Sequence, residues 1–173
     1  MRLFYRLAQF WHILTAVSLN ADQRANIAPY LSPAELALFD TFSASDQQHS
    51  YNVFRLLQTA GHTHPDLLAA ALLHDIGKTQ VKLTVFDRSL IVLAQRLLPG
   101  HVAKWGQGEV QGWKRPFVVK AKHPEWGAAL ATAAKSRPLT ILLIRRHQDT
   151  LPEPVHAETD RILAQLQWAD DQN

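Results

Sequence analysis

Apolar residues recur along most of this chain with the three- and four-residue spacing of helices that bury one face. Leu3, Phe4, Leu7, Phe10, Trp11, Leu14 and Val17 form the first such stripe, with Arg2, Arg6 and Gln9 off it. The stripe predicts an amphipathic helix. It does not read as a signal peptide, because Arg6, Gln9 and His12 interrupt the apolar run and no small-residue cleavage site follows. Helix starts are legible downstream. Ser32-Pro33-Ala34-Glu35 is a capping box with proline at the first helical position, and Ser45-Asp46-Gln47-Gln48 is a second start. Pro65 opens a helix carrying Leu67, Leu68, Ala71 and Leu72, and Asp87 can cap a helix over 89–98 that Pro99-Gly100 ends. Residues 99–115 hold four glycines with Trp105 and Trp113, and read as a loop. Phe117-Val118-Val119 is too short to decide between a strand and a helical turn. Pro124 opens a helix through Ala134, Pro138 opens one through His147, and a last helix covers 155–171. The pattern predicts an all-α helical bundle over 31–173, preceded by an N-terminal amphipathic helical extension over 1–30.

Composition narrows the class. With 47% apolar and 19% charged residues in 173, the chain can bury a core and suits one domain. No uncharged apolar run is long enough to span a bilayer as a helix. The 0 cysteines exclude a disulfide scaffold, thiolate metal sites and a cysteine nucleophile, and fit a reducing, cytoplasmic setting. Charge is uneven. Residues 101–150 carry nine Lys/Arg against three Asp/Glu, a net of +6, whereas 151–173 carry one against five, a net of −4. The basic stretch suits either an anionic partner or a solvated positive face.

The nine histidines carry more information, because imidazole is the commonest metal ligand. His49 shares a helical face with Val53, Leu56, Leu57 and Ala60. His74 lies three and seven residues after Ala71 and Leu67, and Asp75 three and seven after Leu72 and Leu68, so the two point inward side by side. His147 follows Ile144 and Leu143 by three and four. Asp170 follows Leu166 by four and Ile162 by eight, whereas Asp171 aligns with Gln167 and Ala164. A single inward histidine is ordinarily a satisfied core residue. Several inward imidazoles and carboxylates on different helices are another matter, because buried carboxylates demand a cation. Such convergence in a helical core is a recurrent way of holding divalent ions. Without cysteine the donors are nitrogen and oxygen only, which suits Mn, Fe, Co, Ni or Zn. His12, His62, His64, His101 and His156 lie in or beside loops or on an unplaced face, and are not site candidates.

His74-Asp75-Ile76-Gly77-Lys78, preceded by the apolar run Leu67 to Leu73, resembles the signature helix of the HD-domain metal-dependent phosphohydrolases. His49-Ser50 with Val53 resembles the first ligand helix of that superfamily, and Asp170 in Trp168-Ala169-Asp170 matches its closing aspartate. His123-Pro124-Glu125-Trp126-Gly127 is similar to the H-P-E-x-G element of its binuclear subfamilies, and Ile144-Arg145-Arg146-His147 to their next histidine helix. The resemblance covers roughly residues 45–171. It implies six metal ligands: His49, His74, Asp75, His123, His147 and Asp170. His49, His74, Asp75 and Asp170 would hold one ion, and Asp75 would bridge to a second ion held by His123 and His147. The chain departs from the cyclic-di-GMP phosphodiesterases of the superfamily. His147 is followed by Gln148 rather than a second histidine, and no Gly-Tyr-Pro occurs.

By this resemblance the chain is expected to be a metal-dependent phosphohydrolase. It would use divalent ions, two in the binuclear case, to cleave a phosphoester or phosphoanhydride of a nucleotide-like small molecule. Asp75 and Lys78 are the catalytic candidates. Lys78 would contact substrate phosphate, and Arg146, about 100° round its helix from His147, could flank the mouth. Lys120 and Lys122 could add a basic rim. The rival reading is a catalytically weak HD module that keeps the metal site for regulation or ligand binding. Nucleic acid is not the expected partner.

Overall fold

The computed structural model describes residues 17–173, so the amphipathic stripe of residues 1–16 lies outside the described residues. Among the described residues there are nine α-helices and no strand. They are α1 Ala21–Ile27, α2 Pro33–Phe39, α3 Ala44–Thr59, α4 Pro65–Leu73, α5 Val85–Leu97, α6 Pro99–Trp105, α7 Arg115–Ala133, α8 Pro138–Arg146 and α9 Glu158–Asp171. Short 3-10 turns cover Ala28–Tyr30, Ile76–Gln80 and Gly112–Lys114. No helix among the described residues is long and apolar enough to cross a membrane.

The architecture is organised around α4. Every residue from Asp66 to Leu73 is buried, so this helix is apolar on all sides and is enclosed by α3, α8 and α9. Its one buried charge near the start, Asp66, accepts hydrogen bonds from Thr140 Oγ1 at 2.8 Å and Arg137 Nε at 2.8 Å. Those bonds tie the starts of α4 and α8 together. Leu19 and Ile27 join the same apolar cluster as Leu31, Phe54, Leu68, Leu72, Ile144 and Leu166, so residues 17–30 contribute to the core of the bundle.

Several helix ends differ from the sequence expectation, each for a local reason. The Ser32 box forms as expected, with Glu35 returning the bond to the Ser32 amide. α3 starts at Ala44, with its cap two residues before Ser45, because Ser43 is the side chain that accepts from the Asp46 amide. α5 starts four residues before Ser89. Thr84 is its cap, and Asp87 sits three positions later as the reciprocating partner in a box. Residues 99–115 are not a plain loop. They contain α6 and a 3-10 turn, which Trp105 and Trp113 pin to Phe117 of α7 at ring separations of 5.0 and 6.2 Å.

The largest difference concerns Pro124. Instead of opening a helix it lies inside the 19-residue α7, whose first turn carries Pro116. Phe117, Val118 and Val119 belong to this same helix and are buried in it. The 3-10 turn after α4 presses on the middle of α7. A Cβ on Gly77 would lie 2.0 Å from the His123 carbonyl oxygen and 2.7 Å from the Gly127 amide nitrogen. Both obstacles are backbone, so neither can swing away. Gly77→Ala is therefore expected to force the turn off α7 and cost about 1–3 kcal/mol or more, read as a lower urea midpoint. An unchanged midpoint would show that the two backbones are not in this contact.

Candidate metal centre

His74 and Asp75 follow directly on the last residue of α4, where the buried helix ends and the chain turns. Four further polar side chains reach them from four directions: His49 from the middle of α3, His123 from α7, His147 at the end of α8 and Asp170 from the last turn of α9. The six residues named from the sequence thus converge on one place. They fall into two groups. His49, His74 and Asp170 lie together, and so do Asp75, His123 and His147, each group offering ligand atoms within 4.8 Å of one another.

Asp75 faces both groups, one oxygen to each. Its Oδ2 is 3.5 Å from His74 Nε2 and 3.7 Å from His49 Nε2. Its Oδ1 is 3.2 Å from His123 Nε2 and 3.7 Å from His147 Nε2. Asp170 Oδ1 closes the first group at 3.0 Å from His49 Nε2 and 3.4 Å from His74 Nε2.

The imidazoles are oriented by their other nitrogens. His74 Nδ1–H donates to the Ala71 carbonyl at 3.0 Å, and His147 Nδ1–H donates to the Ile144 carbonyl at 2.7 Å. His123 Nδ1–H donates to the Lys120 carbonyl at 2.8 Å and the Val119 carbonyl at 3.1 Å. A carbonyl only accepts, so each Nδ1 carries the proton, and in the neutral ring Nε2 carries a lone pair. His123 Nε2 and His147 Nε2 are 3.1 Å apart. Two lone pairs at that distance repel unless a cation lies between them. This donor set of imidazole nitrogens and carboxylate oxygens fits a divalent transition ion.

Pro124 explains how His123 obtains its partner. In a regular helix the Lys120 carbonyl would bond to the amide of residue 124. Proline has none, and the freed carbonyl takes the imidazole N–H instead. The signal was present in the sequence as a proline four residues after Lys120 and directly after a histidine, in a segment that reads as the start of a helix.

Electrostatics agree with a cation site. Burial alone would raise the Asp75 pKa. Lys78, His74 and His123 outweigh it and hold the carboxyl well below its usual range. Burial likewise works against ionisation of Asp170, but hydrogen bonds from His49 and His74 keep it ionised to lower pH than a free carboxyl. Burial, reinforced by the positive charge of His74, pushes His147 down to about 3, so its lone pair is free at neutral pH. Burial also opposes protonation of His74, but Asp75 and Asp170 prevail and raise its pKa.

Lys78 Nζ lies 2.5 Å from Asp75 Oδ2 at the rim of the centre. Lys120 is half-buried and Lys122 exposed. Arg146 is not free. It donates to Asp149 at 3.0 Å and to Asp160 at 2.7 Å. Arg145 pairs with Glu125 at 3.1 Å. Of the histidines set aside from the sequence, His64 caps α4 by accepting from the Asp66 amide.

The family model of the HD domain matches residues 47–171, a span that contains all six converging side chains. The chain therefore belongs to the HD-domain family, within the superfamily of metal-dependent phosphohydrolases. No curated protein and no solved structure matches it significantly.

Two outcomes are expected. Pro124→Ala returns an amide that competes for the Lys120 carbonyl. It should weaken metal binding at His123 and His147 by about 10- to 100-fold while circular dichroism stays helical. Wild-type affinity in that variant would leave the proline without this role. The second outcome concerns pH. A raised pKa means that His74 keeps its proton above the ordinary histidine value of 6.5, so an entering cation must displace it. Metal binding near pH 6.5 should release on the order of one proton, and affinity should rise with pH through that window. Calorimetry in two buffers of different ionisation enthalpy measures the release. Binding that ignores pH would place the cation elsewhere.

Proposed function

We propose that the chain is a metal-dependent phosphohydrolase that uses a two-ion centre to cleave a phosphoester or phosphoanhydride bond of a nucleotide-like substrate in the cytoplasm. The observation that supports it is Asp75, buried between two ligand groups and turning one oxygen to each. His49, His74 and Asp170 would hold the first ion with Asp75 Oδ2, and His123 and His147 the second with Asp75 Oδ1. Divalent ions there supply Lewis acidity, which activates water at neutral pH and offsets charge on the phosphoryl group.

The protein's own groups do the rest. The Nδ1–H bonds to main-chain carbonyls keep three imidazoles turned inward without reorganisation. Lys78 sits at the rim with its ammonium on the bridging carboxylate, where it can move onto a phosphoryl oxygen as a point charge. A nucleic-acid partner finds less support. Arg115, Arg137, Arg145 and Arg146 of the basic stretch are each spent on an acidic side chain, at 2.5, 2.8, 3.1 and 2.7 Å respectively.

The test pairs metal analysis with turnover on the same preparations, using Mn- or Co-loaded protein and a panel of nucleotides and phosphodiesters. Asp75→Ala is expected to lose metal and activity together, because it removes the shared ligand. His123→Ala and His147→Ala should each reduce the ion count from two toward one. Lys78→Ala should keep the count and lower turnover by about 10- to 1000-fold, on the order of 1.4–4 kcal/mol of transition-state stabilisation. Loaded wild-type protein that turns over no member of the panel would point to the regulatory or binding module instead.

A further inference from the structure

Beside the metal centre, α5, α6 and α7 enclose a groove of about 310 Å³. Its walls are apolar, with Pro99 and Val102 on one side and Phe117 on the other. Aromatic packing holds the walls together. Trp105 at the end of α6 packs on Phe117 at 5.0 Å and on Trp113 at 5.2 Å. Gly106 lets α6 close on α7, since a Cβ there would meet the Ala121 Cβ at 2.8 Å. Two neutral amides, Gln95 and Gln148, line the groove, and no carboxylate lines it among the described residues.

Among the described residues, the only charged one in its lining is Lys120. This lysine joins the groove to the centre, because its carbonyl holds His123 and its ammonium lies in the field of Lys78, Asp75 and Asp170. Gln148 makes the same junction as the neighbour of His147. The Lys120 ammonium is half-buried, and no ion pair or hydrogen bond engages it among the described residues. A half-buried ammonium with no partner of its own favours an anion at this end of the groove. The neighbouring cleft of about 510 Å³ offers no such demand, because Arg145 and Arg146 there are already paired with Glu125 and Asp149.

We propose that this groove is the subsite for the nucleobase end of a single nucleoside phosphate, with Lys120 at its inner end sharing the phosphate with Lys78. The inference rests on the phosphohydrolase reading and deepens it. The chemistry is specific to that ligand. Apolar faces accept a flat ring. Side-chain amides present a donor and an acceptor side by side, which match base edges. The volume lies near the lower end of the range for small-molecule sites, suited to one nucleoside rather than to two.

The test compares ribose 5-phosphate with the four ribonucleoside 5′-monophosphates, which share its phosphate and sugar and add a base. Affinities are measured by calorimetry on the full chain with metal chelated, so that turnover does not intervene. At least one nucleotide should bind tenfold or more tightly than ribose 5-phosphate. Ala103→Trp, which fills the groove from its exposed edge, should collapse that preference to within about twofold. Lys120→Ala should weaken nucleotide and sugar phosphate alike, and circular dichroism with a thermal melt reports whether each variant remains folded. Nucleotides that bind no better than ribose 5-phosphate, or a preference that survives Ala103→Trp, overturn the subsite. Metal is then restored to the wild-type protein. Hydrolysis without base preference would retain the phosphohydrolase reading and discard the groove. Base preference without hydrolysis would retain the groove and discard the reaction.

Discussion

Placing a carboxylate inside a helical bundle with ligands on both sides is the constraint on which the rest of this structure depends. Asp75 is almost wholly buried, and a lone charge there would be prohibitive. The fold answers it with Lys78 at the rim and two imidazoles on each oxygen, while Asp170 opposite is held by the imidazoles of His49 and His74. Apart from His74 and Lys78, which follow α4 directly, those neighbours come from four other helices, so the packing of α3, α8 and α9 around α4, and of α7 on the turn after it, is also the assembly of the centre. The Gly77 contact with α7 belongs to the same requirement, because it brings the turn carrying Asp75 against the helix carrying His123.

Much of the fold could be read from the chain because helices announce themselves through periodicity and caps. α2 and α4 start where proline and the preceding polar residue say they should. Elsewhere two caps competed within a few residues, and the upstream hydroxyl prevailed, Ser43 over Ser45 and Thr84 over Asp87. The aromatic contacts that organise 99–115 join residues of that segment to Phe117, and a one-dimensional pattern does not show such packing. Pro124 was misread for a related reason. Proline punctuates helices as a rule, and although the adjacent histidine stands in the sequence, its donation to the Lys120 carbonyl that Pro124 frees is evident only in three dimensions.

Five of the six residues, His49, His74, Asp75, His147 and Asp170, were legible from spacing against apolar neighbours, and His123 only through family resemblance; the structure brings all six together. The surrounding charges were not legible. Arg146 carries the sequence signature of a basic mouth, yet its guanidinium is engaged by Asp149 and by Asp160 of a different helix. Lys120 carried a weaker signature and occupies the more suggestive place. Pairing across helices decides which basic residues remain available, and net charge along a segment does not report it.

The all-round burial of α4 separates two kinds of stability within one molecule. Amides at the end of that helix can exchange only when the bundle opens as a whole, so the ligands His74 and Asp75 are as durable as the fold itself. α6 is a seven-residue helix with no buried residue, held by a few aromatic contacts. It can open locally at small cost, and its sequence can drift without disturbing the core. The machinery for bond cleavage thus sits in the part of the chain least free to change. The wall that a substrate's variable portion would touch sits in the part most free to change, which is the division of labour a scaffold needs if one reaction is to be redirected to new compounds.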